Sequence, residues 1–235
     1  MQIQTAIILA GGLGTRLRSA VPDLPKPMAP INGRPFLEQQ MDYWIGQGID
    51  QFILSVGYRR EAIMDHFGQH YRNAPIQYAI EDIPLGTGGG VLLALGKLAS
   101  LQPCLLLNGD TYFEVALDQL TAFHRHRQAD LSFSLFRANE ADRYMGMTIA
   151  EDGEVLALKS GKSAVGSFAN GGVYVLNPSG LMQGCFQAGI KLSFEDDLLP
   201  ALQRQGARLF GMVCDGRFVD IGLPADYARA ADMIS

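Results

Sequence analysis

The sequence predicts an open α/β fold in which mostly parallel strands alternate with helices. Three short apolar runs are each followed by a turn that contains glycine, and segments with helical spacing lie between them. Repetition of strand, glycine-containing turn and helix is the signature of such a sheet. In open α/β sheets, ligands bind beyond the carboxyl ends of the strands, so we look for chemistry in these turns.

The first half of the chain contains the regular part of this pattern. Buried strands are predicted at 5–10, 51–56 and 104–107, a further strand near 76–80, and helices at 36–47 and 91–98. Trp44 is predicted to belong to the hydrophobic core. Strand and helix therefore alternate through the region where we look for the ligand site.

The second half is less regular. Strands are predicted at 130–137, at 146–158 with a turn at Asp152-Gly153, and at 172–176, and a closing helix at 226–233. Ser193 is expected to cap a helix through about residue 205, which Pro200 should kink or delay. The four histidines, which we expect to be solvated in helices or at their ends, are His66, His70, His124 and His126.

The bulk properties limit the classes of function. A chain of 235 residues with 18% charged residues fits one soluble domain, and we predict that residues 1–235 form one. The net charge of -5 argues against a nucleic-acid partner. Three separated cysteines make no disulfide framework, and no signal peptide or membrane-spanning apolar run is seen, so we expect a cytoplasmic protein without a membrane partner.

A glycine-rich turn, LAGGLGTRL at 9–17, follows the first predicted strand. Glycines let backbone amides approach a ligand, and a threonine and an arginine add donors for phosphate oxygens. The candidate nucleotide-binding residues here are Leu9, Ala10, Gly11, Gly12, Gly14, Thr15 and Arg16. The alternative is a purely structural glycine turn.

Two further segments of the first half carry candidate residues. Lys26, held between Pro25 and Pro27, is a candidate catalytic cation, or else a solvated lysine. The glycine cluster PLGTGGG at 84–90, with Gly86 and Thr87, has backbone groups that could edge against a flat base. Glu81 could accept both the N1 and N2 hydrogens of guanine, or be an exposed acid at a strand end.

Carboxylates at two strand ends suit a metal ion. Asn108, Gly109 and Asp110 end the third buried strand, and Asp220 follows an apolar run near the end of the chain. Mg²⁺ takes oxygen ligands together with substrate phosphates, so the two aspartates are candidate metal ligands. Their spacing in the sequence does not by itself bring them together.

The whole chain resembles the sugar 1-phosphate nucleotidyltransferases. The matching segments are LAGGLGTRL at 9–17, PKP at 25–27, PLGTGG at 84–89, NGD at 108–110, NGGVY at 170–174, SFEDDLLP at 193–200 and FVDIG at 218–222. The resemblance implies a Rossmann-like, mixed but mostly parallel sheet flanked by helices. It also implies a nucleotide-binding N-terminal half and a sugar-phosphate-binding C-terminal half.

The resemblance also implies residue roles. Arg16 would bind the triphosphate, Lys26 would steady charge on the reacting phosphates, and Asp110 and Asp220 would hold Mg²⁺. The implied sugar-phosphate-binding residues are Tyr144, Gly146, Lys162, Asn170, Gly171, Tyr174 and Glu195. The chain departs from the family in having Met145 between Tyr144 and Gly146, and in lacking the usual Glu-Lys pair. Lys159 is therefore the alternative to Lys162.

Within the family, the chain looks most like the D-glycero-α-D-manno-heptose 1-phosphate guanylyltransferases, which implies GTP and a heptose 1-phosphate as substrates and a bacterial surface glycan as destination. Mannose 1-phosphate guanylyltransferases and N-acetylmuramate 1-phosphate uridylyltransferases share much of the pattern. Two other classes are a glycosyltransferase that uses a finished nucleotide-sugar and a catalytically silent sensor. The oligomeric state stays open, a homo-oligomer included.

Overall fold

The structure is a computed structural model that describes residues 2–17, 20–159, 163–182, 186 and 189–234. Its α-helices are α1 (Phe36–Ile45), α2 (Arg60–Phe67), α3 (Gly86–Leu95), α4 (Leu117–His126), α5 (Pro178–Met182), α6 (Leu199–Arg204) and α7 (Pro224–Met233). The strands of the first half are β1 (Thr5–Leu9), β2 (Pro30–Ile31), β3 (Arg34–Pro35), β4 (Gln51–Val56), β5 (His70–Tyr71), β6 (Ala74–Ile80), β7 (Cys104–Asn108) and β8 (Thr111–Phe113). Those of the second half are β9 (Leu131–Arg137), β10 (Gly146–Ile149), β11 (Val155–Lys159), β12 (Phe168–Leu176), β13 (Leu209–Val213) and β14 (Phe218–Asp220).

The main sheet has a parallel centre and a mixed flank. Strands β7, β1, β4 and β6 are neighbours in that order and run parallel. Strand β12 pairs antiparallel with β7 and carries the sheet into the second half, where it also pairs with β9 and β10. Strand β13 lies parallel to β9, and β10 and β11 form a hairpin. The predicted fold class, a mixed and mostly parallel sheet flanked by helices, is confirmed.

The core forms on both faces of the sheet because side chains along a strand alternate between its faces. On one face, strand residues such as Ile8 and Leu54 pack with Met41 and Trp44 of α1. On the other face, strand residues such as Ile7 pack against the apolar side of α3. Trp44 is a core residue, as predicted, with 2% of its surface exposed.

The glycine cluster at 84–90 is where the predicted secondary structure differs most from the observed one. Helix α3 begins at Gly86, so most of the cluster is helical and not a loop. The backbone of Gly88 donates to the Leu192 carbonyl, and a Cβ on Gly88 would lie 2.9 Å from the Ser193 backbone. The glycines thus let this helix pack directly on the 190–193 segment, and the helix begins at Gly86 and not at the predicted residue 91.

The segment after Ser193 follows the prediction with one refinement. The Ser193 hydroxyl accepts a hydrogen bond from the Asp196 backbone N–H, as expected of an N-cap. The first turns, Phe194–Leu198, are a π-helix, and α6 begins only at Leu199. Because Pro200 has no N–H to donate to the preceding turn, the change of helix type falls beside it.

The histidine prediction is partly wrong. His124 is only 3% exposed and its Nδ1 lies 2.9 Å from the Ser132 hydroxyl oxygen, so it is a buried residue between α4 and β9. His70 lies in β5 and not in a helix. Cys104 and Cys214 are free thiols, and Cys185 lies outside the described residues. Within the described ranges, the helices are too short or too polar to span a membrane.

Candidate active site

A cavity of about 730 Å³ opens at the carboxyl ends of the central parallel strands. This is the position that the fold class predicts for a ligand site. The predicted site residues that line it are Leu9, Ala10, Gly11, Gly12, Gly14, Thr15, Arg16, Lys26, Glu81, Gly86, Thr87, Asn108, Gly109, Asp110, Tyr144, Asn170, Glu195 and Asp220. The structure therefore brings together residues that are separated by more than two hundred positions in the chain.

The glycine-rich turn after β1 forms one side of the cavity. Gly14 has a φ of 57°, and a Cβ placed on it would lie 3.2 Å from the Cβ of Lys26. Glycine at this position therefore satisfies a left-handed conformation and a close approach to Lys26. Arg16, in the same turn, is exposed and lines the cavity, so its guanidinium is available to an anionic ligand.

Lys26 lies at the centre of the charged groups of the cavity. Its side chain is 9% exposed, and its Nζ donates to Asp110 Oδ2 at 2.5 Å and lies 3.5 Å from Asp220 Oδ1. Pro25 precedes this residue and Pro27 follows it in a short 3₁₀ turn. These two prolines restrict the backbone beside Lys26, and the hydrogen bond to Asp110 holds its ammonium group.

Strand pairing explains why the two aspartates meet. Strand β14 pairs antiparallel with β8, which places Asp220 opposite Thr111. The Ile221 N–H donates to the Asp110 carbonyl at 3.0 Å. A Cβ on Gly222 would lie 2.7 Å from Asp220 Oδ1 and 2.8 Å from Lys26 Nζ, so a side chain there would shift one of the two charged groups. This short two-stranded ladder supplies the proximity that sequence spacing could not.

The surroundings shift the pKa values of the two carboxylates in opposite directions. Burial alone would raise the pKa of Asp110, but the charge and hydrogen bond of Lys26 lower that pKa below its ordinary value. Burial raises the pKa of Asp220, and the charge of Asp110 raises it further. One ammonium group thus fully compensates only one of two neighbouring carboxylates.

This arrangement fits a divalent cation that also binds phosphate. Two carboxylates share one lysine, so a further positive charge between them and a ligand is electrostatically favoured. Across the part of the chain that the structure describes, no cluster of three or more His, Cys, Asp or Glu residues is suited to a metal. A hard cation held by the two carboxylates would complete its coordination with water and substrate oxygens.

Glu81 occupies a specific position beside the glycine-rich turn. Its Oε1 accepts from the Ser55 hydroxyl at 3.1 Å and its Oε2 accepts from the Leu85 N–H at 3.0 Å. A Cβ on Gly11 would lie 2.7 Å from Oε1. The carboxylate is thus oriented by two hydrogen bonds and lies in the cavity wall, and is not the freely exposed acid of the alternative interpretation.

The opposite side of the cavity comes from the second half of the chain. Asn170 accepts from the Gly172 N–H through Oδ1 and donates to the Tyr174 hydroxyl through Nδ2. Glu195 accepts from the Thr87 hydroxyl at 2.9 Å, and that hydroxyl accepts from the Phe194 N–H. These bonds orient the two predicted sugar-contacting side chains, Asn170 within β12 and Glu195 against helix α3.

Some predicted sugar-site residues lie outside the cavity wall. Tyr174 is 0% exposed and packs against Phe133 and Phe194, so its direct contact with a sugar is not supported. Gly171 is enclosed, because a Cβ there would lie 2.4 Å from Phe113. Gly146 is paired within β10, and Met145 lines the cavity in its place.

The lysine prediction is also revised. Lys162 lies outside the described residues. Lys159 is exposed at the end of β11 and is not part of the cavity wall. The described cations on this side of the cavity are instead Arg143 and Lys191, which the sequence analysis missed.

Arg143 and Lys191 differ in whether the sequence carries a signal that could have identified them. Lys191 comes two residues before the Ser193 N-cap, and a search for cations beside that motif would have found it. Arg143 is 10% exposed because it is bound by Asp226 of α7 and by Glu140, and its guanidinium lies 4.9 Å from the Tyr144 ring centroid. No local sequence pattern marks that pairing with Asp226.

Comparison with known proteins places this geometry in a family. The model of the nucleotidyl transferase family matches residues 5–235. The chain is 44% identical over 228 residues to the D-glycero-α-D-manno-heptose 1-phosphate guanylyltransferase of Aneurinibacillus thermoaerophilus, with 96% of each chain covered. It is 37% identical over 222 residues to the protein of that name from Campylobacter jejuni, covering 94% of this chain and 96% of the relative.

More distant matches and solved structures agree. The mannose-1-phosphate guanylyltransferase of Mycobacterium tuberculosis is 32% identical, and the match covers 97% of this chain and 64% of the relative. A crystal structure of HddC from Yersinia pseudotuberculosis has a TM-score of 0.87 at 32% identity, covering 99% of this chain and 100% of that one. The same protein complexed with GMP-PN gives a TM-score of 0.86. On its sequence, its sheet and its site, this chain belongs to the nucleotidyl transferase family.

Proposed function

We propose that this chain transfers a guanylyl group from GTP to D-glycero-α-D-manno-heptose 1-phosphate, releasing pyrophosphate and forming a GDP-heptose. The observation that carries the proposal is the single cavity in which Lys26, Asp110 and Asp220 lie between the glycine-rich turn and the side that holds Asn170 and Glu195. The cavity volume is within the range for sites that hold ligands of this size. The relatives named for this heptose activity support the choice of substrates.

In the proposed reaction, an oxygen of the sugar 1-phosphate attacks the α-phosphorus of GTP in line. A new phosphorus–oxygen bond forms as the bond to the bridging oxygen breaks, and pyrophosphate leaves. The attacking oxygen is already anionic at neutral pH, so no general base is assigned. Such transfers depend on positioning and on charge stabilisation.

The cations of the first half have distinct proposed roles. Arg16, exposed in the glycine-rich turn, binds the triphosphate. Lys26, which is held by Asp110 in this structure, stabilises the charge that develops on the reacting phosphates. Asp110 and Asp220 would hold Mg²⁺, which when bound supplies positive charge to the phosphate oxygens.

We assign selection of the base and selection of the sugar to residues on opposite sides of the cavity. Glu81 accepts from the N1 and N2 hydrogens of guanine, a role that its position beside the glycine-rich turn supports. Asn170 and Glu195 contact sugar hydroxyls, while Arg143 and Lys191 provide positive charge for the sugar phosphate. Because GTP and sugar phosphates are charged metabolites, we propose the cytoplasm as the place of reaction.

The test is pyrophosphate release with a grid of substrates in the presence of Mg²⁺. GTP, ATP, UTP and CTP are each combined with heptose, mannose, glucose and N-acetylmuramate 1-phosphates. We expect turnover with GTP and the heptose phosphate. Turnover with another pair would overturn the substrate assignment. Silence across the grid would indicate a sensor or a glycosyltransferase, and only the glycosyltransferase would release nucleoside diphosphate when a finished nucleotide-sugar and a sugar acceptor replace the two substrates.

A further inference from the structure

We propose that Ser55 is a positioning residue for guanine selection, which acts by fixing the direction of the Glu81 carboxylate. Ser55 is at the carboxyl end of β4 and is 1% exposed. Its backbone is held between β1 and β6, where it pairs with Leu9 and Ala79. Its hydroxyl therefore approaches Glu81 from a fixed place. The inference rests on the proposed function, in which Glu81 reads the base.

Two hydrogen-bond donors and two closely packed glycines surround the carboxylate of Glu81. Ser55 donates to Oε1 at 3.1 Å, and the Leu85 N–H donates to Oε2 at 3.0 Å. A Cβ on Gly90 would lie 2.9 Å from Oε1 and equally close to the Ser55 hydroxyl, and a Cβ on Gly11 would lie 2.7 Å from Oε1. A side chain at either glycine would displace the carboxylate, so the two glycines and the two donors define one orientation.

The chemistry of a carboxylate explains why orientation determines selection. Each ionised oxygen can accept about two hydrogen bonds, and the protein supplies one to each, which leaves acceptor capacity for a ligand in the cavity. Guanine presents two parallel donors, N1–H and the 2-amino group, and a bidentate contact requires the carboxylate plane to be aligned with both. Hypoxanthine, the base of ITP, keeps N1–H but lacks the amino group.

Removal of the Ser55 hydroxyl leaves only the Leu85 N–H to orient the carboxylate. Contact with N1–H survives rotation of the carboxylate better than the two-point contact does. We therefore expect Ser55→Ala to lower kcat/KM for GTP by about tenfold, the lower end of what one hydrogen bond to a charged group contributes. The loss with ITP should be smaller, so the GTP-to-ITP preference should fall.

The experiment measures kcat/KM for GTP and ITP at saturating heptose 1-phosphate in wild type, Ser55→Ala, Glu81→Gln and the double variant. Ser55→Ala should reduce the GTP-to-ITP ratio in the wild-type background and leave it unchanged in the Glu81→Gln background. Ser134→Ala is the matched control, because Ser134 is a buried serine on β9 whose hydroxyl has no hydrogen-bond partner among the described residues. Ser55→Cys, whose side chain is similar in size but a weaker donor, should shift the GTP-to-ITP ratio in the same direction by less. This variant replaces Ser55→Ala in the comparison if Ser55→Ala fails to fold.

The outcomes separate the inference from the proposed function. Failure of the wild-type enzyme to use GTP would overturn the proposed function itself. Normal GTP turnover by the wild-type enzyme, with an unchanged GTP-to-ITP ratio in Ser55→Ala, would contradict only the role of Ser55 in guanine selection. An equal loss with both nucleotides would assign Ser55 a purely structural role. A further fall of the ratio in the Glu81→Gln background would show that Ser55 does not act through Glu81.

Discussion

The two walls of the cavity are assembled in different ways. The N-terminal wall consists of the segments that follow β1, β6 and β7, with Ser55 near the end of β4. These four neighbouring parallel strands have their carboxyl ends at one edge. The C-terminal wall consists of Tyr144, Asn170, Lys191 and Glu195, with Arg143, from segments of antiparallel or irregular structure. A wall made at parallel strand ends is marked in the sequence, whereas the facing wall depends on long-range pairing.

The charged groups at the boundary between the walls join the two kinds of structure. Lys26 follows the first strand, Asp110 follows a central parallel strand, and Asp220 ends a strand near the end of the chain. Thr87 and Glu195 make a second link, through a hydrogen bond between the start of α3 and the π-helical turn. Changes at these links test whether the two walls work as one site.

The largest expected effect is that of Lys26→Ala. The variant removes the ammonium that contacts both aspartates, and we expect turnover to fall by at least about 10²–10³-fold, the loss that follows removal of one preorganised charge-stabilising donor. Pyrophosphate release under saturating substrates is the measurement. Lys97→Ala, an exposed lysine away from the cavity, serves as the control. Normal turnover in folded Lys26→Ala would remove the lysine from the reaction.

A smaller and more selective effect is expected on the C-terminal wall from Lys191→Ala. Loss of this cation should raise KM for the sugar 1-phosphate by about tenfold, the scale of a charge-assisted hydrogen bond, with little change in KM for GTP. Steady-state kinetics with each substrate varied in turn gives both values. Lys159→Ala is the matched control, since Lys159 is exposed and outside the cavity wall. If Lys159→Ala raised KM for the sugar 1-phosphate and Lys191→Ala did not, the phosphate contact would be assigned to Lys159.

The link between the walls is tested by Thr87→Val. The change removes a hydroxyl that accepts from the Phe194 N–H and donates to Glu195. We expect the free energy of unfolding in urea to fall by about 1 kcal/mol, the net contribution of a hydrogen bond, together with a higher KM for the sugar 1-phosphate. Thr121→Val in α4 controls for the substitution itself. An unchanged KM would show that the position of Glu195 does not depend on this link.

The smallest effect concerns the pH dependence of stability in the second half. Burial lowers the pKa of His124 below its ordinary value of 6.5, an effect that Asn177 and Asp130 partly oppose. Below about pH 6.5 the unfolded chain binds a proton that the folded chain does not. The stability due to neutral His124 is therefore complete above that pH and is lost as the pH falls towards the lowered pKa.

His124→Gln should reduce this acid sensitivity. The free energy of unfolding of wild type, relative to the variant, should decline as the pH falls below 6.5, by no more than about 1.4 kcal/mol per pH unit. Urea unfolding at several pH values provides the comparison, with His126→Gln, an exposed histidine of the same helix, as control. Parallel pH profiles for wild type and His124→Gln would contradict the prediction.

Much of the N-terminal wall could be read from local patterns. Runs of β-branched and leucine residues that end in glycine mark strand ends, and glycines followed by Arg16 mark an anion-binding turn. The glycine cluster at 84–90 shows the limit of such patterns, because the helix predicted from residue 91 begins within the cluster, at Gly86. Its role as a close-packed helix start depends on the backbone at Leu192, about a hundred residues later, so no local pattern reveals it.

The C-terminal wall shows what a motif does not specify. Asn170, Gly171 and Tyr174 are close in sequence, yet only Asn170 lines the cavity, while Gly171 is enclosed by Phe113 and Tyr174 packs in the core. A register shift in β12 between Asn170 and Tyr174 sets which side chain reaches the cavity. Such a shift depends on pairing with β9, so spacing alone cannot assign the contact.

The sequence by itself determined the fold class, the strand ends that form the cavity and most of the charged residues that line it, because local periodicity and glycine placement depend on neighbouring residues. Tertiary structure alone decided that Asp220 lies opposite Thr111, next to Asp110, that Arg143 is bound by Asp226, and that Ser55 orients Glu81. These contacts join residues 26 to 110 positions apart. They form only in the folded chain. There, the free energy gained from strand pairing and packing offsets the entropy lost in bringing distant segments together.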